Sequence, residues 1–257
     1  MLPKPDPQDL RKILTDDIDI SIQGFDDKFW SSRRWGNLYY SGFKELFPTI
    51  RDIKRYISSL RLDLTIISKE EVNPIDFLGV EALRVFAPEM YMTIADEKQT
   101  FTTIANTFLD GSRDRQERKQ IFEQILNKKC PPELANIMKE IVGFLFPQVA
   151  GLYTNHSYTH HSQIEWRKQL QVCSEDIFDK YFSLAITSNT LSEKILKDVL
   201  AATNDQAVFM QGLQMVQAEN KLRLVLDRLF DYLDELTEEQ AENLLIGLFD
   251  FCEDVDD

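Results

Sequence analysis

The stretch from Thr49 to Pro88, TIRDIKRYISSLRLDLTIISKEEVNPIDFLGVEALRVFAP, holds the clearest helical period in the chain, the clearest helix boundaries and the densest positive charge. Ile50, Ile53, Ile57, Leu60, Leu64 and Ile67 recur at alternating spacings of three and four, which predicts a helix that buries one apolar seam. Thr49 is the expected N-cap, and Pro48 ends whatever precedes it. Arg51, Lys54, Ser58 and Arg61 follow the same spacing about one position round the helix, so a cationic row runs beside the apolar one. Arg51 falls in the first helical turn, where a positive side chain opposes the helix dipole by roughly a few tenths of a kcal/mol unless an anion lies nearby. A second helix, VNPIDFLGVEALRVFAPEMY, opens with Asn73 as cap and Pro74 at its first position and stops at Ala87-Pro88.

The flanks read the same way. Leu2 to Pro7 is extended, because Pro3, Pro5 and Pro7 disfavour helix at the residue before each. Asp6-Pro7 then starts a helix whose buried stripe is Leu10, Ile13 and Leu14, up to about Ile18. Asp26 or Asp27 caps DKFWSSRRWGNLYYSGFKELF, an aromatic-rich element with an expected break near Gly36. Between Ala95 and about Gln116 the chain is polar, with a short helix near Phe101 to Leu109, and this connection is the expected domain boundary. Helices are expected from about Asp114 to Asn127 and from Pro131-Pro132 to Phe146. Beyond them, Ser174, Thr190, Asn204 and Thr237 are the expected caps of four more, and Thr190 and Thr237 open capping-box patterns. Between the last two caps, LRLVLDRLFDYLDEL repeats leucines at helical spacing. No strand pattern competes, so the chain is expected to be all-α: a small helical bundle over residues 1–95, then antiparallel helical hairpins over 96–257.

Composition sets bounds on function. At 257 residues, 43% apolar and 28% charged, the chain has enough material for a real core. The longest apolar runs, such as IVGFLF near 141, are far short of the ~18 residues a membrane span needs. MLPKPDPQD lacks a hydrophobic signal core, which makes a cytoplasmic location the expectation. Cys130, Cys173 and Cys252 are widely separated and form neither a metal pattern nor a disulfide framework.

The net charge of −14 is unevenly placed. From Asp227 to Asp257 there are twelve acidic residues and one Arg, a net of −11. From Lys28 to Arg61 eight basic residues face only Glu45 and Asp52, a net of +6. That patch suits phosphate, nucleic acid or an acidic partner, although the overall sign disfavours nucleic acid. Aromatics interleaved with Arg33 and Arg34 read chiefly as core with an amphipathic rim. All three histidines, His156, His160 and His161, fall in NHSYTHHSQIEWRK. His156 and His160 have the spacing of a helical zinc pair, but no HExxH is present and the Ser, Thr and Asn content favours a loop, so no metal site is assigned. There is no GxSxG elbow and nothing marks a Cys nucleophile.

Arg51-Asp52-Ile53-Lys54-Arg55, followed by Val72-Asn73-Pro74-Ile75-Asp76-Phe77 and Glu81-Ala82-Leu83-Arg84-Val85-Phe86, resembles the region after the nucleotide-binding core in KAP family P-loop NTPases. The likeness extends upstream through Arg34-Trp35-Gly36-Asn37-Leu38-Tyr39-Tyr40-Ser41-Gly42-Phe43 and Leu2-Pro3-Lys4-Pro5-Asp6-Pro7, covering residues 1 to about 95 well and the rest loosely. One departure matters: none of the nine glycines is followed by Lys, so the ATP-binding loop cannot be written anywhere in the chain. The resemblance implies a helical lid that is inactive alone, with ATP and Mg held by a core that lies upstream or on a separate chain. It also implies Arg51, Lys54 and Arg55 as the phosphate-facing candidates. The other readings are a stand-alone helical module, binding a protein partner through its acidic C-terminal helices, and nucleic-acid binding through residues 28–61.

Overall fold

The computed structural model describes residues 6–104, 111–154, 158–183 and 191–255, the side chains of 111–114 and 252–255 excepted. Every regular element among them is helical, and none is long and apolar enough to cross a membrane. The chain forms two compact units, Met1–Ala185 and Ile186–Asp257, each with its own apolar core. The polar connection after Ala95 therefore does not divide the chain: Phe101, Phe122, Met138 and Phe178 share one core with Leu14, Tyr56 and Leu83. Apolar residues recur on both sides of that connection, and nothing local shows that they meet.

The first unit contains α1 (Pro7–Ser21), α2 (Ser32–Tyr40), α3 (Ile50–Asp63), α4 (Pro74–Phe86), α5 (Pro88–Asp96), α6 (Lys98–Thr102), α7 (Gly111–Lys129), α8 (Ala135–Leu145), α9 (Pro147–Gly151), α10 (His160–Lys168) and α11 (Glu175–Phe182). At its centre lies α4, all of it buried except Arg84 and Val85. A helix apolar on nearly every side has to be surrounded, and α4 packs against α2, α3, α5 and α8. Asn73 caps it, its Oδ1 accepting from the N–H of Ile75 at 3.0 Å and of Asp76 at 3.3 Å. Gly79 lets α8 approach, since a Cβ there would stand 2.9 Å from Leu145 Cδ2.

Beside it, α3 buries Ile53, Tyr56, Ile57 and Leu60, and Thr49 caps it through the N–H of Asp52. The helix ends at Asp63, so Leu64 and Ile67 continue the seam from a turn. Tyr56, which the aliphatic period passes over, is fully buried and donates to the Leu78 carbonyl at 2.8 Å.

Several boundaries differ from expectation for local reasons. Helix α2 runs through Gly36, and the break falls at Gly42, whose φ of +121° an L side chain rarely adopts. Pro88 ends α4 and also starts α5 as its first residue, a double use that a reading of proline as terminator alone misses. The short helix near Phe101 is Lys98–Thr102, and residues 105–110 lie outside the described residues. The histidine stretch becomes helical at His160 despite its turn-forming composition, with the Thr159 N–H donating to the Ser162 hydroxyl.

The second unit contains α12 (Glu193–Ala202), α13 (Gln206–Ala218), α14 (Leu222–Leu229) and α15 (Glu238–Val255), with a 3-10 segment at Phe230–Glu235. Its caps are Ser192 and Asp205 rather than Thr190 and Asn204, each a polar neighbour of the expected residue; Thr190 lies outside the described residues. The Thr237–Gln240 capping box is formed in both directions. The core is Leu196, Val199, Phe209, Leu213, Val216, Val225, Leu229, Leu244 and Phe251. Arg228 and Glu193 pair inside it at 3.1 Å.

Candidate functional site

The three phosphate-facing candidates lie on the outer side of α3, away from its buried seam. Arg51, Lys54 and Arg55 are exposed. They are not alike in their surroundings. Arg55 sits 3.6 Å from Asp52 and 4.8 Å over the Phe86 ring, so the fold already uses it. Asp52 is further engaged by the Thr49 hydroxyl, which donates to it at 2.6 Å. Arg51 and Lys54 have no side-chain ion pair or hydrogen bond among the described residues. With the adjacent Asp52 engaged by Arg55 and Thr49, Arg51 stands without a partner among the described residues in the first turn of a capped helix, against the dipole.

The rest of the positive stretch is partly dismantled by the fold. Arg34 turns inward to Asp76, and Arg61 reaches Asp17 at 2.6 Å and Ser21 at 3.2 Å, tying α3 to α1. Lys28 pairs with Asp26 at 3.4 Å. The aromatics nearby pack on one another, with Trp35 5.8 Å from Trp30, 5.5 Å from Tyr39 and 5.5 Å from Phe43, ring centre to ring centre, while Tyr40 stays mostly exposed.

Beneath the outer face, the polar residues of the two quoted motifs hold α4 in place. Asp76, fully buried, accepts from Arg34 Nε at 3.1 Å and from the Val172 N–H at 2.9 Å. Asn73 donates through Nδ2 to the carbonyls of Phe29 and Gln169. Its N–H donates to the Tyr181 hydroxyl at 2.8 Å, and that hydroxyl donates to the Leu170 carbonyl at 2.6 Å. Just upstream, Glu71 and Lys180 pair at 2.6 Å with both side chains buried. Buried charges that were not paired this way would cost several kcal/mol each, by order of magnitude. At the far end of α4, Arg84 holds two carboxylates: Glu81 at 2.9 Å through Nε, and Asp63 at 2.6 Å through Nη2, which also donates to Ser59. Burial pushes the Glu81 carboxyl up to about 7, against the bonds from Arg84 and Ser59, and the neighbouring Asp63 charge adds to the rise.

The Cys173 thiol is fully buried and pushed well up by that burial, the opposite of an activated thiol, and burial likewise pushes Cys130 up to about 11. His160, Gln163, Arg167 and Ser174 line a polar cavity of about 180 Å³, in which Arg167 pairs with Asp176 at 2.8 Å; no sequence pattern pointed to it. His156 lies outside the described residues, and among the described residues no three His, Cys, Asp or Glu side chains are placed to hold a metal ion. On α3, Arg51 and Lys54 present a guanidinium and an ammonium without an ion-pair partner among the described residues, on a helix whose other face is locked into the core.

In comparisons with known proteins, no family model, no curated protein and no solved structure matches the chain.

Proposed function

We propose that the chain is the C-terminal helical lid and interaction region of a KAP-like P-loop NTPase, inactive by itself and working in the cytoplasm. The observation that carries this reading is Arg51: it stands exposed, with no ion pair or hydrogen bond from its side chain among the described residues, in the first turn of α3, on a helix fixed from behind by Tyr56 and Leu60. The motif residues that carry the resemblance support it indirectly, since Asn73, Asp76, Glu81 and Arg84 all hold α4, and α4 packs on α3.

The chain's own residues do not form a nucleotide site, because a phosphate loop needs glycine backbone N–H groups and a Lys that this sequence does not supply. ATP and Mg belong to the core, in cis or on another chain, and supply the transferable phosphoryl group. The role of Arg51 is to hold phosphate oxygens through two hydrogen bonds and to stabilise charge as the terminal phosphoryl group leaves. Lys54, one turn on, adds a point charge. Arg55 keeps its contacts to Asp52 and Phe86 and is the least available of the three.

The test compares Arg51→Ala with Arg61→Ala in the assembly formed with a P-loop core, measuring ATPase rate and thermal midpoint together. Arg61 is the control because its contacts to Asp17 and Ser21 are structural. The expected result is a loss of turnover of about a hundredfold for Arg51→Ala with an unchanged midpoint. Equal rates in the two variants, or a loss explained by unfolding, would remove Arg51 from the reaction.

A further inference from the structure

The second unit leaves an apolar groove open between α12 and α13. Ile195 and Val199 form one wall, and Val208, Gly212 and Met215 form the other, around a volume of about 330 Å³. Val208 is 51% and Met215 70% exposed, although the opposite side of α13 buries Phe209 and Leu213 completely. Large apolar side chains lined up along a concave surface mark an interaction site more often than scattered ones do.

Gly212 is the decisive residue. It lies in the interior of α13, where glycine costs roughly 0.5–1 kcal/mol relative to alanine. Among the described residues nothing requires it to be small, because a Cβ built there meets no atom of theirs within 4 Å. Gly247 is the contrast: a Cβ there would stand 2.6 Å from Phe209 Cδ1, so that glycine serves packing inside the unit. The missing side chain at Gly212 instead leaves that part of the groove wall open.

The groove's charge names the occupant. Asp198 and Glu219 are its charged lining residues, Glu219 also lying 3.2 Å from Lys221, and among the described residues no Lys or Arg lines it. From Ile186 to Asp257 sixteen acidic residues outnumber five basic ones, a net of −11. Val208, Gly212 and Met215 step along α13 by four and three and so share one face of it, with Glu219 just past its end, a ridge against which a further helix can lie. We propose that this groove binds a basic amphipathic helix of a partner protein, with apolar side chains over Gly212 and Lys or Arg beside Asp198 and Glu219. The inference rests on the second unit and is independent of the ATPase reading.

The probe is a fluorescein-labelled leucine–lysine amphipathic peptide about 16 residues long, long enough to form a helix on contact. It is titrated with the full chain by fluorescence anisotropy at about 0.15 M salt, where loose charge attraction is screened. Saturable one-to-one binding is expected. Gly212→Leu, whose Cβ has open space around it and whose longer side chain extends into the groove, is expected to weaken it at least about tenfold with an unchanged circular dichroism spectrum. The double reversal Asp198→Lys with Glu219→Lys, and a leucine–glutamate peptide of the same pattern, are expected to weaken it as much. Should Gly212→Leu fail to fold, Met215→Ser at a mostly exposed position replaces it, with a loss of about fivefold expected. Three results overturn the proposal: no saturable binding, undiminished binding to the folded groove variants, or equal binding of the acidic peptide. A dimer in sedimentation that Gly212→Leu dissolves also overturns it, by giving the groove to a second copy of the chain.

Discussion

Replacing Glu81 with Gln should make the first unit more stable in alkali and leave it nearly unchanged in acid. Arg84 is one cation between two carboxylates whose side chains are only 2% and 5% exposed, Glu81 and Asp63. One negative charge is therefore in excess, and burial raises Glu81 from 4.5 to about 7. Between those two values the folded protein keeps a proton that the unfolded chain releases, so stability from this group is full below pH ~4.5 and is lost as pH rises to ~7. At about 1.4 kcal/mol per pH unit, the ionised carboxylate costs the fold about 3 kcal/mol above neutral pH. The amide that Glu81→Gln introduces keeps one of the two oxygens that accept from Arg84, as the protonated acid does, and has nothing to ionise. All three tryptophans, Trp30, Trp35 and Trp166, belong to the first unit, so urea unfolding followed by tryptophan fluorescence reports that unit alone. The gap between variant and wild type is expected to open from near zero at pH ~4.5 to about 3 kcal/mol at pH ~8. Profiles that stay parallel across that range would refute the reasoning, because they would place the proton elsewhere or show Glu81 ionised throughout.

Three further outcomes follow from the same geometry. Asp76→Ala strands Arg34 and the Val172 N–H in the core, and by tryptophan-monitored unfolding it should cost about 3–5 kcal/mol; a loss under about 1 kcal/mol would mean that the pair is not what holds α2 to α4. In the chain alone, Arg51→Ala should change stability by less than about 0.5 kcal/mol, whereas Arg61→Ala should lower it by up to about 1 kcal/mol, a modest figure because Arg61 is half exposed. Gly36→Ala, with nothing within 4 Å of the added methyl, should stabilise by about 0.5–1 kcal/mol. Gly247→Ala, driven into Phe209, should destabilise by about 1–3 kcal/mol, and a circular dichroism melt of each variant orders the pair.

Much of the helical frame could be read from local chemistry, because a cap needs only its own side chain and the next turn. Asp6, Thr49, Asn73 and Thr237 do what their neighbours imply. Where two polar residues stand close together, as at Thr190–Ser192 and Asn204–Asp205, sequence alone could not say which one turns back to the helix. The polar frame around α4 was hidden for a different reason: Arg34–Asp76, Glu71–Lys180 and Asp76–Val172 join residues 42, 109 and 96 positions apart, and no period links them. Arg34 illustrates the cost, since in sequence it stands with Arg33 as surface charge and in the fold it is largely buried beneath Phe144. Arg51 was legible because its position follows from the cap. Gly212 was not, since a helical glycine looks the same in sequence whether it packs tightly or faces open space.

The anchoring of α4 also sets a timetable for synthesis. Residues 74–86 leave the ribosome as a largely apolar helix whose Asp76 has its cation, Arg34, already made upstream, whereas the Val172 N–H that also serves Asp76 and the Tyr181 hydroxyl that serves the Asn73 N–H are still to come. At about 5–20 residues per second, the 96 positions separating Asp76 from Val172 take roughly 5–20 s to be made. For that interval the centre of the nascent unit has no finished surroundings, and α4 is the segment that a holding chaperone would bind. A nascent chain arrested shortly before Val172 should be cut by protease within α4, and one arrested after residue 183 has fully emerged should resist.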